Sequence, residues 1–124
     1  MAAQLDFQAF AEGLRAPDQF LIAPERFADA LQLRQQELAE LAHVHRTTVA
    51  DAPSNTKLQR FMRDTLRVLS AAAAVSGERA RTIYWYRNTP IPEFEHRTAE
   101  QLVSAGKTDA VISYLLSIAS GSSG

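Results

Sequence analysis

The sequence predicts an all-α protein in which a helix-turn-helix region is followed by a small helical domain. Apolar residues recur at steps of three and four along most of the chain, which is the period of a helix that buries one face. No segment shows the sustained apolar–polar alternation of a half-buried strand. With 46% hydrophobic and 22% charged residues among 124, the composition is that of an ordinary globular domain.

The first 23 residues are predicted to form an N-terminal arm that contains one helix. Over residues 4–14 the apolar side chains share a helical face, and Gly13 and Pro17 are expected to end the helix. Pro24 then suits the first position of the next helix, because its missing N–H would have no intrahelical partner there.

The helix-turn-helix region is predicted over residues 24–56. Its two short helices, residues 35–42 and residues 46–52, lie three or four residues apart, which is the spacing of this motif. Pro53 is expected to end the second helix, and the stretch Pro-Ser-Asn-Thr that it begins is expected to form a turn.

The side-chain sizes in this region also fit the motif. Ala39 is small enough for close contact between the two helices, Val44 is placed to fill the turn, and Val49 is placed to anchor the second helix. His43 occupies the turn position that usually carries a glycine with positive φ, and histidine adopts that conformation only at some energetic cost.

The second helix of such a region enters the major groove of DNA by its N-terminal end. The candidate DNA-binding residues are His45, Arg46, Thr47, Thr48 and Lys57, and Arg46 is the best candidate for a base contact. The formal charge is −4 over residues 1–42, +5 over residues 43–87 and −2 over the remainder. The basic middle segment therefore favours binding to a polyanion such as DNA. The alternative is that the same fold serves as a scaffold without binding DNA.

The small helical domain, predicted over residues 57–124, begins with the longest helix, residues 57–76, which should be about 30 Å long. A shorter helix follows over residues 78–87, and Thr98 and Gln101 form a capping box that should open another. The last helix is predicted over residues 109–119.

Three arginines and three aromatic residues in this domain are candidates for contact with a partner. Arg60, Arg63 and Arg67 share a helix face that could follow phosphates, meet an acidic partner or simply be solvated. The consecutive residues Tyr84, Trp85 and Tyr86 cannot all point to one side of a helix, so at least one should lie at the surface. Exposed Tyr and Trp favour a protein interface, whereas the alternative for Trp85 is a place in the core.

Catalytic and metal chemistry are not expected. The chain has no cysteine, which excludes disulfides and thiolate sites, and His43 and His45 lack a third ligand at metal-binding spacing. No nucleotide-binding or hydrolase motif is present, and Glu93, Glu95 and His96 are expected to be solvated in a loop. We therefore expect no enzyme activity, no metal and no cofactor.

A cytoplasmic location without a membrane role is expected. The first residues, MAAQLDFQ, lack the basic and apolar segments of a secretory signal, and the longest aliphatic run is far too short to span a bilayer. The absence of cysteine fits a reducing compartment.

A series of short motifs, in order along residues 24–121, connects the chain to a known family. ELAELAHVHRTTV looks like an Xre-like repressor, Trp85-Tyr86 is similar to a Trp-Leu pair, and Asn88-Thr89-Pro90 stands near a Pro-Asn step. The chain thus resembles the Xre/MbcA/ParS-type antitoxins. The remaining matches are an R-T-P-x-x-L start with alanine for proline in residues 97–102, and the closing series Gly106, Val111, Leu115 and Gly121.

The resemblance implies an antitoxin that binds a cognate toxin, often of the NAD-consuming RES type, and blocks its active site with the toxin-binding domain and tail. The implied toxin-binding positions are Trp85, Tyr86, Arg87 and Asn88, together with the tail from Ser120 and Gly121 to Gly124. Such complexes commonly bind their own operator, and a homodimer is expected because one short recognition helix offers too little interface. The alternative is a stand-alone Xre-like regulator whose last helices only dimerise it.

Overall fold

The computed structural model describes residues 2–15 and 21–121. These residues form eight α-helices and a single 3-10 turn at Pro92–Phe94, without a strand, so the prediction of an all-α fold is confirmed. The helices are α1 (Ala2–Gly13), α2 (Pro24–Leu31), α3 (Gln35–Ala42), α4 (Arg46–Asp51), α5 (Thr56–Ser76), α6 (Arg79–Asn88), α7 (Ala99–Ser104) and α8 (Thr108–Gly121).

The long helix α5 lies at the centre and contacts α1, α3, α6, α7 and α8. Asn55 caps its start, because the side-chain oxygen accepts the N–H of Leu58 at 3.0 Å, and Gly77 ends it with a φ of 79°. Its apolar residues are buried on more than one side, as a central helix requires. Those with no exposed surface are Leu58, Met62, Val68 and Leu69.

The helix α1 packs on α5 and α6, so the arm is part of the same body. The buried Gln59 of α5 makes two hydrogen bonds to the backbone of Ile22, in the segment after α1. Its amide nitrogen donates to the Ile22 carbonyl at 2.9 Å, and its amide oxygen accepts the Ile22 N–H at 3.1 Å. The helix ends at Gly13 as predicted, whereas Pro17 lies outside the described residues.

Two sequence features predicted to start helices, Pro24 and the Thr98–Gln101 capping box, are both confirmed. Pro24 is the first residue of α2. Thr98 and Gln101 form the predicted capping box, in which the Thr98 hydroxyl accepts the Gln101 N–H at 3.1 Å and the Gln101 side chain accepts the Thr98 N–H at 2.9 Å.

One buried cluster of apolar side chains runs from Phe7 in α1 to Leu115 in α8. Phe27 of α2 meets Phe61 of α5 edge-on, with ring centroids 6.2 Å apart. The helices α3, α6, α7 and α8 therefore share the central helix α5 as a packing partner, and α3 also contacts α7. None of the helices in the described part of the chain is both long enough and apolar enough to cross a bilayer.

Candidate functional site

The pair α3 and α4 is joined by a tight turn. His43 ends α3 in the left-handed conformation, with φ of 60° and ψ of 43°, so the positive φ expected at this position is present although the residue is not glycine. A hydrogen bond of 2.8 Å from its Nε2 to the backbone oxygen of Ser104 holds the histidine in place. Ala39 and Val49 are both buried where α3 and α4 meet.

The candidate DNA-binding residues lie on an open surface at the start of α4. His45, Arg46 and Thr47 are exposed, and Thr48 is half-buried. The Arg46 guanidinium has no ion-pair or hydrogen-bond partner among the residues that the structure describes. Lys57 is exposed on α5, and its ammonium group donates to the His43 carbonyl at 3.3 Å. Four of the five candidates are therefore consecutive at the start of α4, and Lys57 of α5 contacts the turn through the His43 carbonyl.

The three aromatic residues of α6 divide between surface and core. Tyr84 is 66% exposed, Trp85 is half-buried and Tyr86 is fully buried. The Tyr86 hydroxyl shares a hydrogen bond of 2.6 Å with Thr65 of α5, and burial raises the pKa of Tyr86 well above its ordinary value. Tyr86 is therefore a core residue. The prediction that it binds the toxin is wrong, because its side chain is fully buried against α5 and cannot contact a partner.

Arg87 also makes most of its contacts within the chain. Its Nε donates to the Glu100 carboxylate at 3.0 Å, and one terminal nitrogen donates to the Leu31 carbonyl at 3.0 Å. The other terminal nitrogen lies 3.8 Å from Glu37 of α3. This single side chain therefore connects the end of α2, α3, α6 and α7, a role that the sequence did not indicate.

Glu100 is a buried carboxylate that depends on Arg87. Loss of contact with water raises the pKa of Glu100, and the adjacent Arg87 guanidinium opposes that rise. Glu37 differs, because hydrogen bonding to the backbone N–H of Arg34 lowers its pKa. Of the two carboxylates beside Arg87, Glu100 is thus buried and Glu37 is half-buried.

The remaining predicted toxin-binding residues lie at the surface. Asn88 is exposed at the end of α6, and its amide donates to the Tyr84 carbonyl at 3.2 Å. Ser120 and Gly121 are exposed at the end of α8. Residues 122–124, the rest of the predicted tail, lie outside the described residues.

An apolar groove between α5, α6 and α8 runs beside Trp85. It encloses about 190 Å³ and is lined by Val75, Trp85, Tyr114 and Ile118, among others. Val75 is 46% exposed at its edge. Because Ile118 precedes Ser120 by two residues, the groove links the aromatic face of α6 with the end of α8. The sequence did not predict it, since it depends on how three helices meet.

The residues considered for acid–base or metal chemistry are solvated. Glu93, Glu95 and His96 are all exposed around the 3-10 turn. Within the described part of the chain, no three His, Cys, Asp or Glu side chains are grouped so that they could hold a metal ion.

Comparison of the chain with protein-family models, with curated proteins and with solved structures found no match. The function must therefore be inferred from the two open surfaces, the start of α4 and the aromatic face of α6.

Proposed function

We propose that this chain is an antitoxin that binds a cognate toxin through α6 and the end of α8. The observation that carries the proposal is the aromatic surface of α6: Tyr84 is 66% exposed, and its neighbour Trp85 is half-buried and lines the apolar groove against α5 and α8. Tyr and Trp supply a large contact area at low entropic cost, and they are the residues most often found at the energetic centre of protein interfaces.

Inhibition in this proposal is stoichiometric and needs no catalytic group on this chain. Tyr84 and Trp85 anchor the toxin, Asn88 supplies polar contact, and Ser120 and Gly121 direct the tail towards the toxin's substrate cleft. The sequence resemblance supports an NAD-consuming RES-type toxin as the partner class, and the absence of cysteine supports a cytoplasmic setting. Arg87 stabilises the position of α6, because its hydrogen-bond partners include Glu100 of α7 and the carbonyl of Leu31 at the end of α2.

Operator binding by the α3–α4 unit belongs to the same proposal. The unit offers exposed His45, Arg46 and Thr47 at the start of the second helix. The Arg46 guanidinium, which has no partner in the described part of the chain, suits the edge of a guanine. The left-handed conformation of His43 between α3 and α4 supports the proposed helix-turn-helix arrangement. A homodimer would place two such units on neighbouring half-sites. The second candidate function, a stand-alone regulator, rests on this surface alone.

Co-expression with the product of the adjacent reading frame tests the proposal. We expect that product to arrest growth alone, the chain to restore growth, and the two to purify together in stoichiometric amounts. Replacing Tyr84 with alanine should weaken the complex about 30-fold, because an interface hot spot contributes about 2 kcal/mol. Affinity is measured by isothermal titration calorimetry. Lys107→Ala, an exposed substitution on the loop before α8, serves as the control.

A non-toxic neighbour, or a toxin that the chain neither binds nor neutralises, would overturn the antitoxin assignment. Operator binding under those conditions would support the stand-alone regulator instead. Unchanged affinity of the Tyr84→Ala variant would remove the aromatic face from the interface.

DNA binding is tested with the fragment upstream of the chain's own reading frame. Replacing Arg46 with alanine should reduce the affinity for this fragment about tenfold or more, because a base contact by arginine contributes about 1–3 kcal/mol. Arg81→Ala, which also removes one exposed arginine but lies on α6, is the matched control and should have little effect. Electrophoretic mobility shift at fixed salt measures both. Equal losses in the two variants would indicate only nonspecific attraction and contradict a base-reading role for Arg46.

A further inference from the structure

A second and larger groove lies on the other side of α8, between α1, α5 and α8. It encloses about 860 Å³. The α5 residues that line its floor recur at steps of three and four, so they form one continuous stripe. They are Arg63, Asp64, Leu66, Arg67, Ser70, Ala71 and Ala74. From residue 63 to residue 74 the stripe is about 17 Å long, or three helical turns.

The walls and floor of this groove, named here the α1–α8 groove, leave apolar surface open. On the α8 wall, Leu116 is 58% exposed, and Ile112, one turn earlier, is partly buried. On the floor, Leu66 is partly buried, and Ala71 and Ala74 are small enough for another backbone to approach closely. One exposed leucine is ordinary, but a leucine on the wall of an apolar channel of this length indicates a surface that a partner covers.

The lining of the groove carries more positive than negative charge, although Arg15 is paired with Glu12 at 3.5 Å. Its charged lining residues are three arginines, at positions 15, 63 and 67, and a single carboxylate, Asp64. Asp64 already accepts hydrogen bonds from the Thr108 hydroxyl at 3.1 Å and from Arg67 at 3.3 Å. Arg67 also reaches Asp109 at 3.3 Å.

Arg63 is the cation that remains open. It is exposed, and it has no ion-pair or hydrogen-bond partner within residues 2–15 and 21–121. The lining of the same groove on a second copy of this chain offers Arg63 no unengaged carboxylate, because Asp64 already accepts hydrogen bonds from Thr108 and Arg67. A partner with carboxylates at this end would complement it.

We infer that the α1–α8 groove binds an amphipathic, acidic helix of a partner protein. The apolar side of that helix packs between Leu66 and Leu116, and its carboxylates pair with Arg63. This is the helix-in-groove mode of recognition, in which apolar residues at steps of three and four fill the channel and the charges at its rim select the partner. The groove shares α8 with the proposed toxin-binding face, but neither Tyr84 nor Trp85 lines it, so the inference does not depend on the antitoxin function.

The test uses a fluorescein-labelled peptide of 14 residues with leucine and alanine on one helical face and glutamate elsewhere. A second peptide has lysine in place of every glutamate. Fluorescence anisotropy with the full chain should show at least tenfold tighter binding of the acidic peptide. Arg63→Glu should abolish this preference, and Leu116→Asp should weaken binding of the acidic peptide at least tenfold. Arg60→Glu, an equal charge reversal one turn away and outside the groove, should retain most of the preference.

Three results would overturn the inference. The acidic and basic peptides could bind equally, binding could survive in Leu116→Asp, or Arg60→Glu could lower the preference as much as Arg63→Glu. Sedimentation of the chain alone provides a further check, because a dimer that Leu116→Asp dissociates would assign the groove to a second copy. Tyr84→Ala should leave peptide binding unchanged, which separates this outcome from that of the toxin experiment.

Discussion

Replacing Arg87 with alanine is expected to lower the free energy of unfolding by about 3 kcal/mol, because it leaves a buried carboxylate without its cation. The Glu100 side chain is only 9% exposed, and its nearest cation is the Arg87 Nε at 3.0 Å. The substitution also removes the hydrogen bond to the Leu31 carbonyl at the end of α2. Urea denaturation monitored by circular dichroism measures the loss.

The double variant Arg87→Ala/Glu100→Gln distinguishes two causes of the lost stability, the unpaired Glu100 carboxylate and the loss of Arg87 packing. Glutamine keeps the size of the glutamate and carries no charge, so this variant should recover most of the stability that Arg87→Ala loses. Glu100→Gln alone serves as the reference. If the double variant is no more stable than Arg87→Ala, the buried charge is not the cause.

The pH dependence gives an independent check. The charged groups that face Glu100 are Arg87, which lowers its pKa, and Glu37, which raises it, while burial raises it most. An acid with a raised pKa in the folded state stabilises that state fully only below its unfolded pKa, near 4.5, and this contribution is lost as the pH rises through the folded pKa. Without Arg87 the folded pKa should rise further.

The stability difference between Arg87→Ala and the double variant should therefore shrink as the pH falls from 7 towards 5. Comparing the two variants cancels the titration of the other carboxylates that they share. A difference that stays constant over this range would contradict the assignment of the destabilisation to ionised Glu100.

The local features of the fold were predictable because each depends on residues close in sequence. Pro24 at the first position of α2 and the Thr98–Gln101 capping box follow from backbone groups within one turn. The positive φ at His43 follows from the spacing of two short helices. Predicted helix ends differ from the observed ones by one or two residues, as fraying and terminal hydrogen bonds allow.

Features that join distant segments were not predictable. Gln59 is an ordinary polar residue in the sequence, yet in the fold its amide holds the backbone at Ile22, 37 positions away. Arg87 reads as a surface residue at the end of a helix, yet its partner Leu31 is 56 positions away. The two grooves beside α8 arise where three helices meet, so only the assembled structure reveals them.

Tyr84 and Tyr86 illustrate the same difference within one helix turn, and substitution should separate them. Tyr86→Ala is expected to lower the free energy of unfolding by about 4 kcal/mol, because it empties a large buried site and leaves the Thr65 hydroxyl without its partner. Tyr84→Ala, the same substitution two residues earlier at a side chain 66% exposed, should change stability by no more than about 0.5 kcal/mol. Both values are measured by urea denaturation.

A further pair of variants tests the cause of the Tyr86 effect. Tyr86→Phe keeps the ring and should cost about 1–2 kcal/mol, because the Thr65 hydroxyl then lies buried without its hydrogen bond. Adding Thr65→Val removes that hydroxyl and should recover part of the loss. Similar losses in Tyr84→Ala and Tyr86→Ala would contradict the division of α6 into a core side and a surface side. If Tyr84→Ala stays folded and loses only toxin binding, Tyr84 serves recognition, while the buried Tyr86 holds α6 in place.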